Sequence, residues 1–190
     1  MLKIARLAGA AALALAASFG AQATTVNLSG ADFGQWQSFD AFDTALPAGF
    51  IDIAYVGDFT PLSFRFTLAS DAYLKVVDSG FAGDRFEIFD NGGSIGFTST
   101  PTNTYDSFSW GVSQPHLTAA FADARFSSGT YLLTAGNHEI TGALVSSTAP
   151  LEFQYATTGA IMLTPVPEPE TYGLLLAGLA LIGTIARRRA

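Results

Sequence analysis

Cysteine is absent from the 190-residue chain, which excludes a disulfide framework, thiolate chemistry and cysteine-ligated zinc or iron–sulfur centres. Charge is scarce too: charged residues make 13 % of the chain, against roughly a quarter in average proteins. With 49 % hydrophobic residues, the balance is the reverse of a disordered chain. Basic side chains are thinnest in the middle. Between Thr24 and Pro165 only Arg65, Lys75, Arg85 and Arg125 face 14 acidic residues, a net charge of −10. That surface excludes a nucleic-acid binder, which needs cations to displace condensed counterions. It suits solubility and attraction for cations instead.

The two ends differ from the middle. Residues 1–23 open with Lys3 and Arg6, run apolar through Leu7–Ala17, and close on Ala21-Gln22-Ala23. A positive start, a short apolar stretch and small residues at −3 and −1 form a secretory signal peptide, cleaved after Ala23 to leave Thr24 first. An uncleaved signal anchor is the alternative. At the other end, Pro167-Glu168-Pro169 precedes an apolar run from Gly173 to Ala186 and then Arg187, Arg188, Arg189 and Ala190. As a helix the run is about 21 Å long, and needs Tyr172 and the arginine stems to reach across a bilayer core of about 30 Å. Arginines directly after it hold that end on the cytoplasmic side.

A Pro-Glu-Pro box, a short apolar helix and a terminal arginine cluster resemble the PEP-CTERM sorting signal of Gram-negative bacteria. The resemblance spans Val166–Ala190. It implies export, an inner-membrane-anchored intermediate, cutting near the box by an exosortase-type enzyme, and delivery to the cell surface or extracellular matrix. It also implies association with biofilm and exopolysaccharide. Signal peptidase, the export machinery and the processing enzyme are the expected partners. An ordinary membrane anchor behind a proline-rich stalk is the competing reading, and the box decides between them.

The middle, 24–165, has the length of one domain. Leu62–Leu68 alternates strictly, placing Leu62, Phe64, Phe66 and Leu68 on one face. Phe50–Val56 and Tyr73–Val77 are further strands. Arg85–Phe89 and Ser94–Ser99 flank Asp90-Asn91-Gly92-Gly93, a hairpin turn tolerant of positive φ. Thr130–Thr134 and His138–Gly142 flank Ala135-Gly136-Asn137 and predict a second hairpin. Glu152–Tyr155 and Ala160–Leu163 predict a third around Thr157-Thr158-Gly159. Only His116–Phe126 reads as a helix, started by Pro115. Short strands between Gly-, Asn- and Asp-rich turns predict an all-β, antiparallel, jelly-roll-like β-sandwich with at most one short helix. The blocks Asp78–Gly92 and Phe126–Ile140 are similar to stretches of other exported PEP-CTERM proteins, which implies a secreted sandwich and no catalysis.

Candidate chemistry is sparse. Asp78, Asp84 and Asp90 are calcium candidates by composition, but their six-residue spacing matches no EF-hand loop. The preferred reading has them stabilise turns, with no metal or other cofactor. His116 and His138 are the two imidazoles; His138 is read as a surface residue beside a turn. No Gly-x-Ser-x-Gly elbow and no His-Glu-x-x-His zinc motif occurs. Trp36 and Trp110 are the candidates for stacking on sugar rings, against the simpler reading that aromatics fill the core. The sequence therefore predicts a non-enzymatic structural, adhesive or polysaccharide-associated protein with no catalytic residues. The alternatives are a carbohydrate-active or other hydrolase, or a plain membrane-anchored periplasmic binding domain.

Overall fold

The computed structural model describes residues 23–44, 46–102, 109–148, 156–166, 177–179 and 182, with the backbone alone at 109–110. The fold is mostly β. Eleven strands form one hydrogen-bonded network: β1 (Thr24–Asn27), β2 (Gln37–Ala41), β3 (Ala48–Ile51), β4 (Leu62–Leu68), β5 (Ala72–Phe81), β6 (Arg85–Asp90), β7 (Gly93–Phe97), β8 (Ser109–Trp110), β9 (Ser128–Leu133), β10 (Gly136–Ser146) and β11 (Thr157–Pro165). An α-helix, α1 (Gln114–Ala122), lies between β8 and β9.

The network has two wings joined through β3, which pairs with β2 on one side and β10 on the other. The first wing holds β1, β4, β10, β6 and β7; the second holds β2, β11, β5 and β9. Pairing is antiparallel except between β1 and β4, which run parallel; the expected all-antiparallel order is corrected there. β1 begins at Thr24, the residue expected to be the mature N-terminus, so an exported chain cut after Ala23 keeps the whole strand.

Alternation builds the core. β4 buries Leu62, Phe64, Phe66 and Leu68 while Arg65 and Thr67 stay exposed. Side chains from both wings, among them Phe64, Ile140, Leu144, Phe39, Leu74 and Leu163, pack into one cluster. At its centre Phe39 and Phe50 stack at 3.7 Å, and Phe86 meets Phe39 edge-on at 5.1 Å. These rings need room above neighbouring strands: a Cβ on Gly159 would collide with Phe39, and one on Gly142 with Phe50. Each buried phenylalanine contributes about 1.5–3 kcal/mol.

The second wing is covered on its other side by α1, where Leu117 and Ala120 join Trp36, Val77, Phe126 and Ala160 in a smaller cluster. Midway along these strands both faces are buried: Val76 and Ile161 join the main cluster, and Val77 and Ala160 the smaller one. Pro115 sits in the first turn of α1, where its missing N–H costs nothing. The helix stops at Ala122, four residues before the expected end.

Three expectations from the sequence change. The expected strand Phe50–Val56 ends at Ile51 because the Asp52 carboxylate accepts hydrogen bonds from the N–H groups of Tyr55 (2.7 Å) and Val56 (3.0 Å), turning the chain into a loop. β9 and β10 are strands but not a hairpin: β9 pairs with β5, and β10 with β4, β6 and β3. The chain crosses between wings at Thr134–Ala135, as it does between β4 and β5. The two corners are tied together, Ala135 N–H donating to Asp71 Oδ1. Finally, Thr157-Thr158-Gly159 is strand, not turn, and Glu152–Tyr155 lies outside the described residues. The hairpin of β6 and β7 forms as expected, with Asn91 (φ 50°) and Gly92 (φ 79°) both left-handed, the conformation a two-residue hairpin turn requires.

Candidate functional site

β11 runs from Thr157 to Pro165, about 27 Å at the rise of an extended chain, and gives the domain two ends of different chemistry. The exit pole, where β11 leads into the C-terminal segment, also holds the corners 69–71 and 134–135. Val166 N–H donates there to Asp71 O (3.1 Å). The far pole gathers the end of β2, the end of β5, the start of β6, the end of β10 and the start of β11.

At the far pole, Asp78 is completely buried. Its Oδ2 accepts hydrogen bonds from the N–H groups of Gly83 (3.3 Å) and Asp84 (3.2 Å), while its Oδ1 is buried with no partner. Burial, reinforced by the neighbouring Asp84 charge, holds this carboxyl well above the usual carboxylate range. Asp84 is 5 % exposed and accepts hydrogen bonds from the Thr157 and Ser147 hydroxyls. Burial raises its pKa, the two hydroxyls pull it down, and the charge of Asp43 adds a smaller upward push. Asp43 is covered but shallow; burial pushes its carboxyl up too, and its Oδ1 has no partner. Gly83 permits this packing, because its φ is +128° and a Cβ there would meet the Thr148 side chain.

Beside this group, burial also raises Asp40, whose Oδ1 accepts a hydrogen bond from Thr158 Oγ1 at 2.6 Å. Among the described residues, the ion pairs are Arg65–Glu139, Arg125–Asp123 and His138–Asp90; none supplies a cation to Asp43, Asp78 or Asp84.

The exit pole pairs its buried acid with an imidazole, though Asp90 Oδ1 is buried without a partner. Asp90 Oδ2 lies 2.9 Å from His138 Nδ1, and His138 Nε2 lies 2.9 Å from Thr134 O. The imidazole stacks on Phe66 at 5.4 Å. His138 is therefore a nearly buried bracket between β6 and the corner at 134–135, not the surface ring expected. Beside it a recess of about 520 Å³ is lined by Asn27, Ser29, Arg65, Thr67, Asn137 and His138, with Leu28 and Phe66 beneath.

The structure divides the predicted site residues accordingly. Asp78 and Asp84 meet, but Asp90 sits at the opposite end of β6, about 20 Å along the strand, so the three cannot share one ion. Asp78 braces the turn between β5 and β6 through the N–H groups of Gly83 and Asp84, and both acids are buried. Asp43, on the loop after β2, joins them with no signal in its local sequence. Trp36 is corrected from sugar platform to core: it is 4 % exposed, its Nε1–H donates to Thr118 Oγ1 (3.0 Å), and its ring packs 5.6 Å from Phe121. Trp110 lies on β8 opposite Gly80, its side chain outside the described residues. His116 is exposed on α1. Ala21, the sorting residues Pro167, Glu168 and Pro169, and Arg187–Arg189 lie outside the described residues, whereas Ala23 and Thr24 lie within them. Among the described residues no helix is long and apolar enough to cross a membrane, and no three His, Cys, Asp or Glu side chains are already gathered to hold a metal ion.

Comparison with known proteins identifies the C-terminus. No curated protein matches the chain. Among solved structures it is similar to the pre-peptidase C-terminal domain of a collagenase from Bacillus anthracis, at 5 % identity over 75 % of this chain and 94 % of that one, with a TM-score of 0.36. It is also similar to the insecticidal delta-endotoxin Cry8Ea1 from Bacillus thuringiensis, at 10 % identity over 55 % of this chain and 18 % of that one, with a TM-score of 0.35. Likeness at those scores carries no argument about fold or function. The family model of the PEP-CTERM protein-sorting motif, however, matches residues 165–190, the segment whose box, apolar run and arginines stand out in the sequence. Residues 165–190 thus carry a PEP-CTERM protein-sorting motif, which implies an exported protein sorted to the cell surface by an exosortase-type machinery.

Proposed function

We propose that this protein is a non-enzymatic, polysaccharide-associated component of the extracellular matrix, folded as a β-sandwich from its two wings and released from a membrane-anchored intermediate. The observation that carries the reading is the position of the sorting box. β11 ends at Pro165 and the matched motif begins there, so Pro167-Glu168-Pro169 starts one residue beyond Val166, the last described residue of the domain. Proline disfavours helix in the residue before it, so Val166 leaves β11 without entering a helix and hands the chain directly to the box. The apolar run stops transfer and the arginines fix orientation. Cutting at the box removes only the anchor and leaves every strand intact.

The matrix role is supported by the recess at the exit pole. Amide, hydroxyl and guanidinium groups of Asn27, Ser29, Thr67, Asn137 and Arg65 converge on it, the donors and acceptors that sugar hydroxyls require. The first test is the intact mass of the protein recovered from its native cells and medium. A product starting at Thr24 and ending near Pro167–Pro169 supports the reading. One that retains Arg187–Ala190 makes it a plain membrane-anchored domain. For the ligand, the purified protein is incubated with matrix polysaccharide: retention without new reducing ends, lost in Asn137→Ala, is expected. New reducing ends would indicate a hydrolase instead.

A further inference from the structure

Between β3 and β4 a loop closes around one residue and turns its apolar side chains to solvent. Asp52 N–H donates to Thr60 O (2.9 Å), and Asp52 O accepts the N–H of Phe59 (2.9 Å). The buried Asp52 carboxylate holds the N–H groups of Tyr55 (2.7 Å) and Val56 (3.0 Å). Four hydrogen bonds to a single residue thus fix the loop. Its side chains are nevertheless not tucked away: Tyr55 is 40 %, Phe59 44 % and Val56 68 % exposed. Phe59 also has a φ of 60°, a left-handed backbone that is an outlier for a bulky residue and that glycine would take without a Cβ. Its ring lies parallel to Phe42, with centroids 6.0 Å apart and planes 13° apart. Backbone strain kept for a half-exposed ring, on a hydrogen-bonded loop, marks a surface held for contact.

We infer that Phe59, Tyr55 and Val56 form a platform for the apolar face of a neutral sugar ring in the matrix polysaccharide. Area, charge and rim chemistry choose this occupant. The three side chains expose roughly 300 Å², well short of the roughly 800 Å² per partner in a stable protein interface, which argues against a second copy of the chain. Asp58 is exposed on the same loop, and the middle region carries a net charge of −10, so an anionic polymer or lipid surface is repelled. Polar groups stand beside the rings. Gln37 Oε1 accepts from Tyr55 Oη (3.4 Å), and Asp58 Oδ1 accepts from Thr60 Oγ1 (2.7 Å). A sugar needs that combination, its C–H face on an apolar ring and its hydroxyls at a polar rim. The loop enters β4 at its start, whereas the recess of Asn27, Arg65 and Asn137 flanks the later part of that strand. One polymer chain meeting both surfaces is held more tightly than by either. The inference rests on the polysaccharide reading and adds a second contact surface to it.

The test measures retention of the full chain, in a sugar-free detergent, on the neutral and the acidic fractions of matrix polysaccharide from native cells. Retention on the neutral fraction is expected, and Phe59→Gly and Val56→Ser are each expected to weaken it about tenfold. Phe59→Gly removes the ring and relieves the left-handed backbone together, so its melting temperature is expected to stay within about 3 °C of the wild type. Val56→Ser changes the most exposed of the three side chains and keeps the test open should Phe59→Gly fail to fold. Retention that falls in Asn137→Ala but is unchanged in folded Val56→Ser and Phe59→Gly overturns this inference alone and leaves the recess as the binding surface. Retention on the acidic fraction only also overturns it, as does a dimer in sedimentation that Val56→Ser dissociates, because a second copy then covers the loop. A wild-type chain retained by neither fraction removes the polysaccharide reading and this inference with it.

Discussion

The two poles of this domain solve the same problem in opposite ways. At the exit pole the acids meet side chains and a corner: Asp90 Oδ2 meets His138, Glu139 meets Arg65 at 2.9 Å, and Asp71 accepts the N–H of Ala135. At the far pole Asp78 Oδ2 accepts the N–H groups of Gly83 and Asp84, and Asp84 accepts the hydroxyls of Thr157 and Ser147. Each pole keeps a buried carboxylate oxygen without a hydrogen bond, Asp90 Oδ1 at one and the Oδ1 atoms of Asp43 and Asp78 at the other. The difference lies in ion pairing. Arg85 starts β6 beside Asp84 but donates to Thr98 O and lies over the Phe97 ring, so the far-pole acids are hydrogen-bonded and buried, and burial raises their pKa values.

The largest expected effect removes what both poles hang from. Phe39→Ala deletes the ring stacked on Phe50 and covering Gly159, and is expected to cost about 3–5 kcal/mol by denaturant unfolding. Next, His138→Ala strips Asp90 and the Thr134 carbonyl of their partner and is expected to cost about 1–3 kcal/mol. If it were neutral, the contrast between an ion-paired and a hydrogen-bonded pole would collapse.

The pH response follows, with opposite signs at the two ends. Burial raises the carboxyls of Asp40, Asp43, Asp78 and Asp84, so the folded state holds protons that the unfolded chain has released. Their contribution is fully present below the ordinary carboxylate range and is lost as pH rises through the raised values. Stability is therefore expected to grow as pH falls from 8 towards 5, by at most about 1.4 kcal/mol per pH unit for each proton taken up, as measured by denaturant unfolding across that range. Glu139, lowered by its hydrogen bond to Arg65, acts the other way, but as an exposed group it matters little. The smallest effect is accordingly Arg65→Ala, within about 0.5 kcal/mol. Its sharper readout is the loss of polysaccharide retention at the neighbouring recess.

Local signals in the sequence were reliable where a strand's environment is set by its own residues. The alternation of Leu62–Leu68 appears as β4 with the expected residues buried, and the Asn91-Gly92 turn closes the hairpin of β6 and β7. They misled where the partner is distant. Ala135-Gly136-Asn137 reads as a hairpin turn, yet the chain uses it to change wings, because β9 and β10 each find a longer-range partner in β5 and β4. Trp36 was open between the core and a sugar platform, and what decides it is distant: α1, some 80 residues later, covers the ring. β1 and β2 gave no reading at all: Thr24–Asn27 and Gln37–Ala41 are too short and too polar to declare themselves before β4 and β11 pair with them.

What the sequence determined alone is where this protein goes and what class of fold it takes. Both rest on contiguous signals: the box, apolar run and arginines within 165–190, and alternation within single strands. What only the tertiary structure decided is which acids share a place. Asp78, Asp84 and Asp90 are evenly spaced along the chain, but extended strand carries Asp90 to the opposite pole while folding brings Asp43 to Asp84. Sequence distance measures path length, and an electrostatic site depends on distance through space. Burial by separate segments turns ordinary acids into carboxyls whose pKa values are raised.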